Sequence, residues 1–208
     1  MKNWKYILRL IGILAIGILL VKMTSQFKYS SFMFDLIFFG ILVVIGLIFI
    51  IWSIFSDLKQ FRIDKRIYNL TPIILGILFT TVIWIWNMQI NKNFDKPTLI
   101  RIYYDGDFNG TGIDFKTDGT YIFDNSAIGM SDYQYGTFTI KGNEITLDKS
   151  ELDNVIKTNR LEIRPKTIEY SDRTEIENYV YQTDENAEIL KSETEFRVVI
   201  DNRINNNE

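Results

Sequence analysis

Residues 32–55 read FMFDLIFFGILVVIGLIFIIWSIF, with a single charge, Asp35, close to the start. A helix needs about 20 apolar residues to cross the hydrocarbon of a bilayer, where every backbone polar group must find its partner within the segment. No interior of a domain of this size surrounds such a run on all sides. Flanking apolar runs at 10–21 and 72–90 behave in the same way. The expected architecture is therefore a membrane protein of the α+β class. Three transmembrane helices, near 6–23, 32–55 and 72–90, make an anchor over 1–96. A β-rich soluble domain follows over 97–201, and a disordered tail over 202–208.

Charge divides the chain at the same place. Residues 1–96 hold 11 bases against 4 acids, a net +7, whereas the remainder holds 12 bases against 22 acids, a net −10. Cysteine and histidine are absent. Disulfides, thiolate nucleophiles, imidazole base catalysis and zinc sites of the usual kind are thereby excluded.

The first helix opens on basic and aromatic residues, with Trp4 and Tyr6 suited to an interface and Arg9 able to snorkel. A signal peptide has a similar opening, but the exit Val21-Lys22-Met23-Thr24 offers no small-residue cleavage site, so a retained helix is expected. Asp35 is either an intramembrane functional acid or a first-turn residue matched to the helix dipole. The stretch 56–71 reads as the most basic loop. Lys59, Arg62, Lys65 and Arg66 alternate there with Leu58, Phe61, Ile63 and Ile67, as in a segment lying on an anionic lipid surface. Trp84 and Trp86 mark the interfacial end of the third helix. The N-terminal segment and the second loop hold seven bases against five on the other side, which by the positive-inside rule places the β-domain outside the cytoplasm, the chain being multi-pass in an inner membrane. Only Gly76 and Thr80 make a small-xxx-small pair, so self-association of helices through glycines has little sequence support.

From residue 98 the pattern switches to period two. Strands are expected at 98–104, 112–116, 120–124, 133–140, 144–148, 161–164, 167–171, 175–182 and 194–200, separated by Asp-Gly and Gly-Asn turns. Short, evenly spaced strands with almost no helical pattern predict a small antiparallel β-barrel or a sandwich.

Phe115-x-x-Asp118-Gly119-Thr120-Tyr121, followed by Gly136-x-Phe138-x-Ile140-x-Gly142-Asn143-x-Ile145-x-Leu147, resembles the hairpin series of bacterial lipocalin-like small barrels. The resemblance covers about half of the β-rich region, implies a lipocalin-like barrel, and carries no binding residues with it. The layout of a few transmembrane helices followed by a compact barrel is similar to the membrane effectors of bacterial antiphage systems signalled by cyclic oligonucleotides. In that family the barrel binds the nucleotide and the helices oligomerise to breach the membrane. This chain departs from the pattern in its acidic β-domain and in the orientation the charge rule gives it.

Three groups are candidate sites. Tyr103, Tyr104, Tyr121, Tyr133 and Tyr135 either line a barrel mouth or ligand cavity or pack as half-buried strand residues. Arg160, Arg164 and Lys166 are either a phosphate-binding cluster or strand-face charges paired with nearby acids. Asp105, Asp107 and Asn109 match the opening of a calcium loop, but Lys116 stands where the closing Glu belongs, and a tight polar turn explains the same residues. No catalytic constellation and no cofactor are expected. The acidic domain is unsuited to nucleic acid.

Three functions fit these features. One is a non-catalytic sensor or effector whose β-domain binds a small ligand or partner and controls or anchors the helices. The second is an immunity or envelope protein neutralising a basic protein partner. The third is a structural subunit of a membrane complex. Membrane lipids are expected partners in all three, and a homo-oligomer through the helices is compatible with each.

Overall fold

The computed structural model describes residues 2–191 and 193–203, without the side chains of residues 2 and 3. The protein is α+β, and its contacts divide it into two compact units, Met1–Asn93 and Phe94–Glu208.

The first unit holds α1 (Lys2–Gln26), the short strand β1 (Ser30–Phe32), α2 (Met33–Asp64), a 3₁₀ turn (Ile67–Leu70) and most of α3 (Thr71–Phe94). All three helices are long and apolar enough to cross a membrane. In α2 only Leu42, Ser53 and Asp57 are buried, while Ile37, Val44 and Ile48 each leave more than half their surface open. A helix that is apolar all round and shielded by so little protein is suited to lipid rather than water.

Glycines shape the packing among these helices. A Cβ on Gly12 would lie 2.5 Å from the Phe49 ring, and one on Gly17 would lie 2.3 Å from the Phe79 ring. Ile50 sits against Gly76 in the same way, 3.0 Å from the position of a Cβ. The small residues thus receive bulky side chains from neighbouring helices of the same chain, which accounts for glycines that lack a small-xxx-small spacing.

The expectation of a loop over 56–71 is corrected. α2 continues for nine further residues to Asp64, because residues 56–64 include no proline or glycine. It stops where Lys65 turns left-handed at φ 57° and returns its N–H to the Phe61 carbonyl. Snorkelling by Arg9 is likewise corrected. Arg9 is 4% exposed and its Nη2 donates to Oδ1 of Asp57, itself 1% exposed, while the guanidinium lies 5.4 Å from the centre of the Trp52 ring. Ser53 Oγ is buried beside this pair, and Arg9 Nε has no hydrogen-bond partner among the described residues. Asp35 is exposed in the first turn of α2, where the dipole favours an acid.

The second unit contains β2 (Thr98–Asp105), β3 (Asn109–Lys116), β4 (Thr120–Ala127), β5 (Met130–Lys141), β6 (Glu144–Leu147), β7 (Arg160–Glu169), β8 (Thr174–Gln182) and β9 (Phe196–Asp201). Every pairing among them is antiparallel. They lie in the order β5-β4-β3-β2-β9-β8-β7-β6, and a further ladder joins β5 to β6. The two strands expected at 161–164 and 167–171 are one, running through Pro165. The Ile163 N–H points to Asn143 at the end of β6, so the missing Pro165 N–H faces an edge that β6 no longer covers and costs no ladder bond.

One face of every strand feeds a single core. Ile100, Ile102, Ile113, Phe115, Tyr121, Phe123, Phe138, Ile145, Leu161, Ile163, Val180 and Phe196 are buried in it. The β6–β7 connection adds Leu152 and Ile156, held by Gln182, whose Nε2 donates to Val155 O at 2.9 Å and whose Oε1 accepts from Lys157 N at 2.7 Å. Part of the segment expected to be disordered is bonded. Asn202 N–H reaches Leu99 O, and Arg203 bridges Asp201 to the Gly142 carbonyl. Residues 204–208 lie outside the described residues.

Removing one partner of a buried ion pair strands the other charge, at a cost of about 3–5 kcal/mol. Arg9→Leu should therefore lower the melting temperature of the purified protein in detergent strongly. The double variant Arg9→Leu/Asp57→Leu should recover most of the loss, as thermal unfolding followed by circular dichroism will record.

Candidate functional site

Large side chains fill the core between the strands. Phe115 packs at 4.8 Å from Phe138 and 6.3 Å from Tyr121, centre to centre. Tyr121 is fully buried and donates its hydroxyl to Asp148 Oδ1 at 3.1 Å; burial, then the Asp148 charge, pushes that hydroxyl's pKa upward. The opposite face of the sheet looks outward.

On that face the antiparallel register lines up one residue from each of four strands. Tyr103 of β2 stands opposite Gly112 of β3, Gly112 opposite Asp124 of β4, and Asp124 opposite Tyr133 of β5. The next row is Arg101, Asp114, Ile122 and Tyr135. Directly opposed side chains lie about 5 Å apart at Cβ, so a glycine inside such a row opens a gap between its neighbours. The Tyr103 ring leans into the gap. A Cβ on Gly112 would fall 3.2 Å from the ring, and one on Gly110 would fall 1.9 Å from the phenol oxygen.

Phe94, the last residue of α3, supplies the remaining wall. Its ring meets Tyr133 edge-on at 5.2 Å and Tyr135 at 6.4 Å. Lys116 of β3 fixes it there. Only 2% of Lys116 is exposed, and its Nζ donates to Phe94 O at 2.9 Å, Lys96 O at 3.0 Å and Asp114 Oδ2 at 2.8 Å. Thr98 Oγ1 donates to the other Asp114 oxygen at 2.8 Å. Lys96 in turn pairs with Asp118 at 2.9 Å. The Thr120 hydroxyl and then Lys96 hold the Asp118 carboxyl down to about 2. These bonds fasten the segment 94–98 across the outer face.

The result is a groove of about 60 Å³ lined by Phe94, Arg101, Tyr103, Gly112, Asp124 and Tyr133, among others. Asp124 Oδ1 is buried in it without a hydrogen-bond partner. Burial pushes the Asp124 pKa upward, and the nearby positive charge of Arg101 opposes the shift.

The other sequence candidates are dispersed. Tyr104 sits at the far end of β2, beside a wider cleft of about 740 Å³ shared with Tyr103, Tyr179, Glu195 and Arg197. Arg160 Nη1 donates to Glu185 O at 3.1 Å, Arg164 pairs with Glu162 at 2.5 Å, and Lys166 pairs with Glu195 above the Tyr179 ring. Arg164 and Lys166 are thus each paired with an acid, and Arg160 is held by a carbonyl of the β8–β9 connection. Asp105, Asp107 and Asn109 form the tight β2–β3 connection. Asp107 N–H bonds Asp105 Oδ1 at 3.2 Å, Gly106 N–H bonds Asn109 O at 2.8 Å, and Asp107 sits at φ 66°. Among the described residues no three His, Cys, Asp or Glu side chains are grouped to hold a metal. Lys59, Arg62, Lys65, Arg66, Trp84 and Trp86 are exposed on the helical unit.

Sequence reasoning passed over Asp124, Arg101, Gly112 and Phe94. Gly112, an otherwise unexplained glycine inside a β-pattern, was the one signal in the chain that a neighbour's side chain approaches closely there. Comparisons with known protein families, with curated proteins and with solved structures find no match.

Lys116→Met leaves Asp114 Oδ2 and two carbonyls without their donor and should destabilise this unit by about 3 kcal/mol. Denaturant unfolding followed by tyrosine fluorescence measures the loss. Asp118 is held below its unfolded value of 3.8, so its contribution is complete above that value and is lost as pH falls toward about 2. Carboxyl-carbon NMR should show the Asp118 midpoint at about 2, and Thr120→Ala should move it upward.

Proposed function

We propose that this is an integral membrane protein whose three helices span a bilayer and whose C-terminal domain is a small up-and-down β-barrel acting as a non-catalytic recognition module. Barrel closure is supported by the β5–β6 ladder, which joins the two ends of an otherwise open strand order. The membrane reading is supported by the apolar, outward-facing surface of α2.

One observation carries the functional reading. The core is filled by aromatic and aliphatic side chains, while the outer face holds a groove with an unsatisfied buried carboxylate oxygen. Recognition therefore takes place on the outer surface and not in a lumen, as it would in a ligand-carrying lipocalin. The domain binds a partner through this face, and the helices tether that event to the membrane.

A second reading, an immunity or envelope protein that neutralises a basic partner, draws support from the −10 charge of residues 97–208. Production of the protein alone in a host cell separates the two. An effector slows growth when triggered, and a neutralising protein is harmless.

Photocrosslinking in intact cells tests the surface reading. A benzophenone amino acid replaces Tyr103 or Tyr133 in the full chain, and Ile176 on β8, 76% exposed, serves as control. A discrete adduct is expected from the two groove positions and not from Ile176. Adducts from none of the three, or equal adducts from all, overturn it.

A further inference from the structure

We propose that the groove between Tyr103 and Tyr133 binds an alkylammonium or guanidinium group, presented by a lysine or arginine side chain of a basic polypeptide partner. The proposal rests on the outer face being the recognition surface and names the chemistry recognised there.

Four features lead to a cation. First, Asp124 Oδ1 is removed from solvent with no donor in reach, and a buried acceptor left in that state is costly unless a ligand satisfies it. Second, Phe94, Tyr103 and Tyr133 surround it with aromatic rings, whose faces attract ammonium and guanidinium groups. Third, the groove, at about 60 Å³, is small and open on one side, which suits a single side-chain head group. Fourth, the residues from 97 onward carry a net −10, which draws basic partners from a distance.

The neighbouring charges sharpen the assignment. Asp114 also lines the groove, but Thr98 and Lys116 already occupy both of its oxygens. Asp124 is thus the carboxylate with an oxygen to offer. Arg101 is the base at the groove, and it is exposed and leaves Oδ1 unbonded. Its positive charge competes with an incoming cation for Asp124. An anionic ligand, by contrast, would meet Asp114 and Asp124 together.

The test uses the full chain in detergent with 3-fluorotyrosine incorporated and its ¹⁹F resonances assigned by Tyr→Phe variants. The probes are N-acetyl-arginine methylamide and N-acetyl-lysine methylamide, with the uncharged citrulline analogue and spermidine as comparisons. The charged amino-acid probes should shift Tyr103 and Tyr133 at millimolar concentration and leave the core Tyr121 unmoved, whereas the citrulline analogue should shift neither. Asp124→Asn keeps the shape, removes the charge, and should weaken binding about tenfold or more. Arg101→Gln removes the competing charge and should tighten it. That variant also keeps the proposal testable if Asp124→Asn disturbs the Tyr121 resonance.

Equal shifts with citrulline, shifts with spermidine alone, unaltered binding in Asp124→Asn, or weaker binding in Arg101→Gln each overturn the proposal. Absence of any shift while the groove crosslinks persist removes the cationic ligand and spares the surface reading. Absence of both removes the two together.

Discussion

The packing of the Phe115 ring against Tyr121 and edge-on to Phe138, inside the core they share with Phe123, is the constraint from which the rest of the β-unit follows. Aromatic rings of this size in contact fill the space between the strands where they meet. A lumen and such a core compete for the same space, and this sequence gives the space to side chains. On the outer face the missing side chain at Gly112 gives the Tyr103 ring room to lean across the four-strand row.

The groove along that row is held open by interactions that themselves bind nothing. Lys116 contributes three hydrogen bonds, two of them to the backbone of the crossing segment, and so decides where the Phe94 ring stands. The Lys96–Asp118–Thr120 cluster repeats the attachment a few residues on. A buried lysine is expensive, and its three acceptors explain why this one is tolerated. For the recognition proposed above, a wall already in place would cost no ordering entropy when a partner arrives.

How much of this was legible in the chain depends on what each pattern reports. Alternation located the strands because burial on one face writes a period of two into the sequence. It split β7 at Pro165 because the sequence does not say which edge lacks a neighbour. Hydropathy found the three helices and then ended α2 nine residues early, since a run of apolar residues reports the surrounding solvent and the backbone has no reason to unwind where that solvent changes. Tyr103 and Tyr133 were singled out as tyrosines, yet what unites them is register, three ladders of pairing that no local pattern encodes. Tyr121, from the same group, went into the core because its neighbour Phe123 and its partner Phe115 face that way. Arg9 and Asp57 lie 48 positions apart, and neither carries a local sign of the other.

The Arg9–Asp57 pair has a further consequence for biogenesis. Each helix alone carries a charge whose partner lies on the other helix, and neither charge is cancelled until the two segments lie side by side. If the bilayer is their solvent, α1 gains stability there once α2 has arrived to neutralise Arg9. A nascent chain arrested before Asp57 emerges would then hold its first helix only loosely, so commitment to the membrane is made by the second segment on behalf of both.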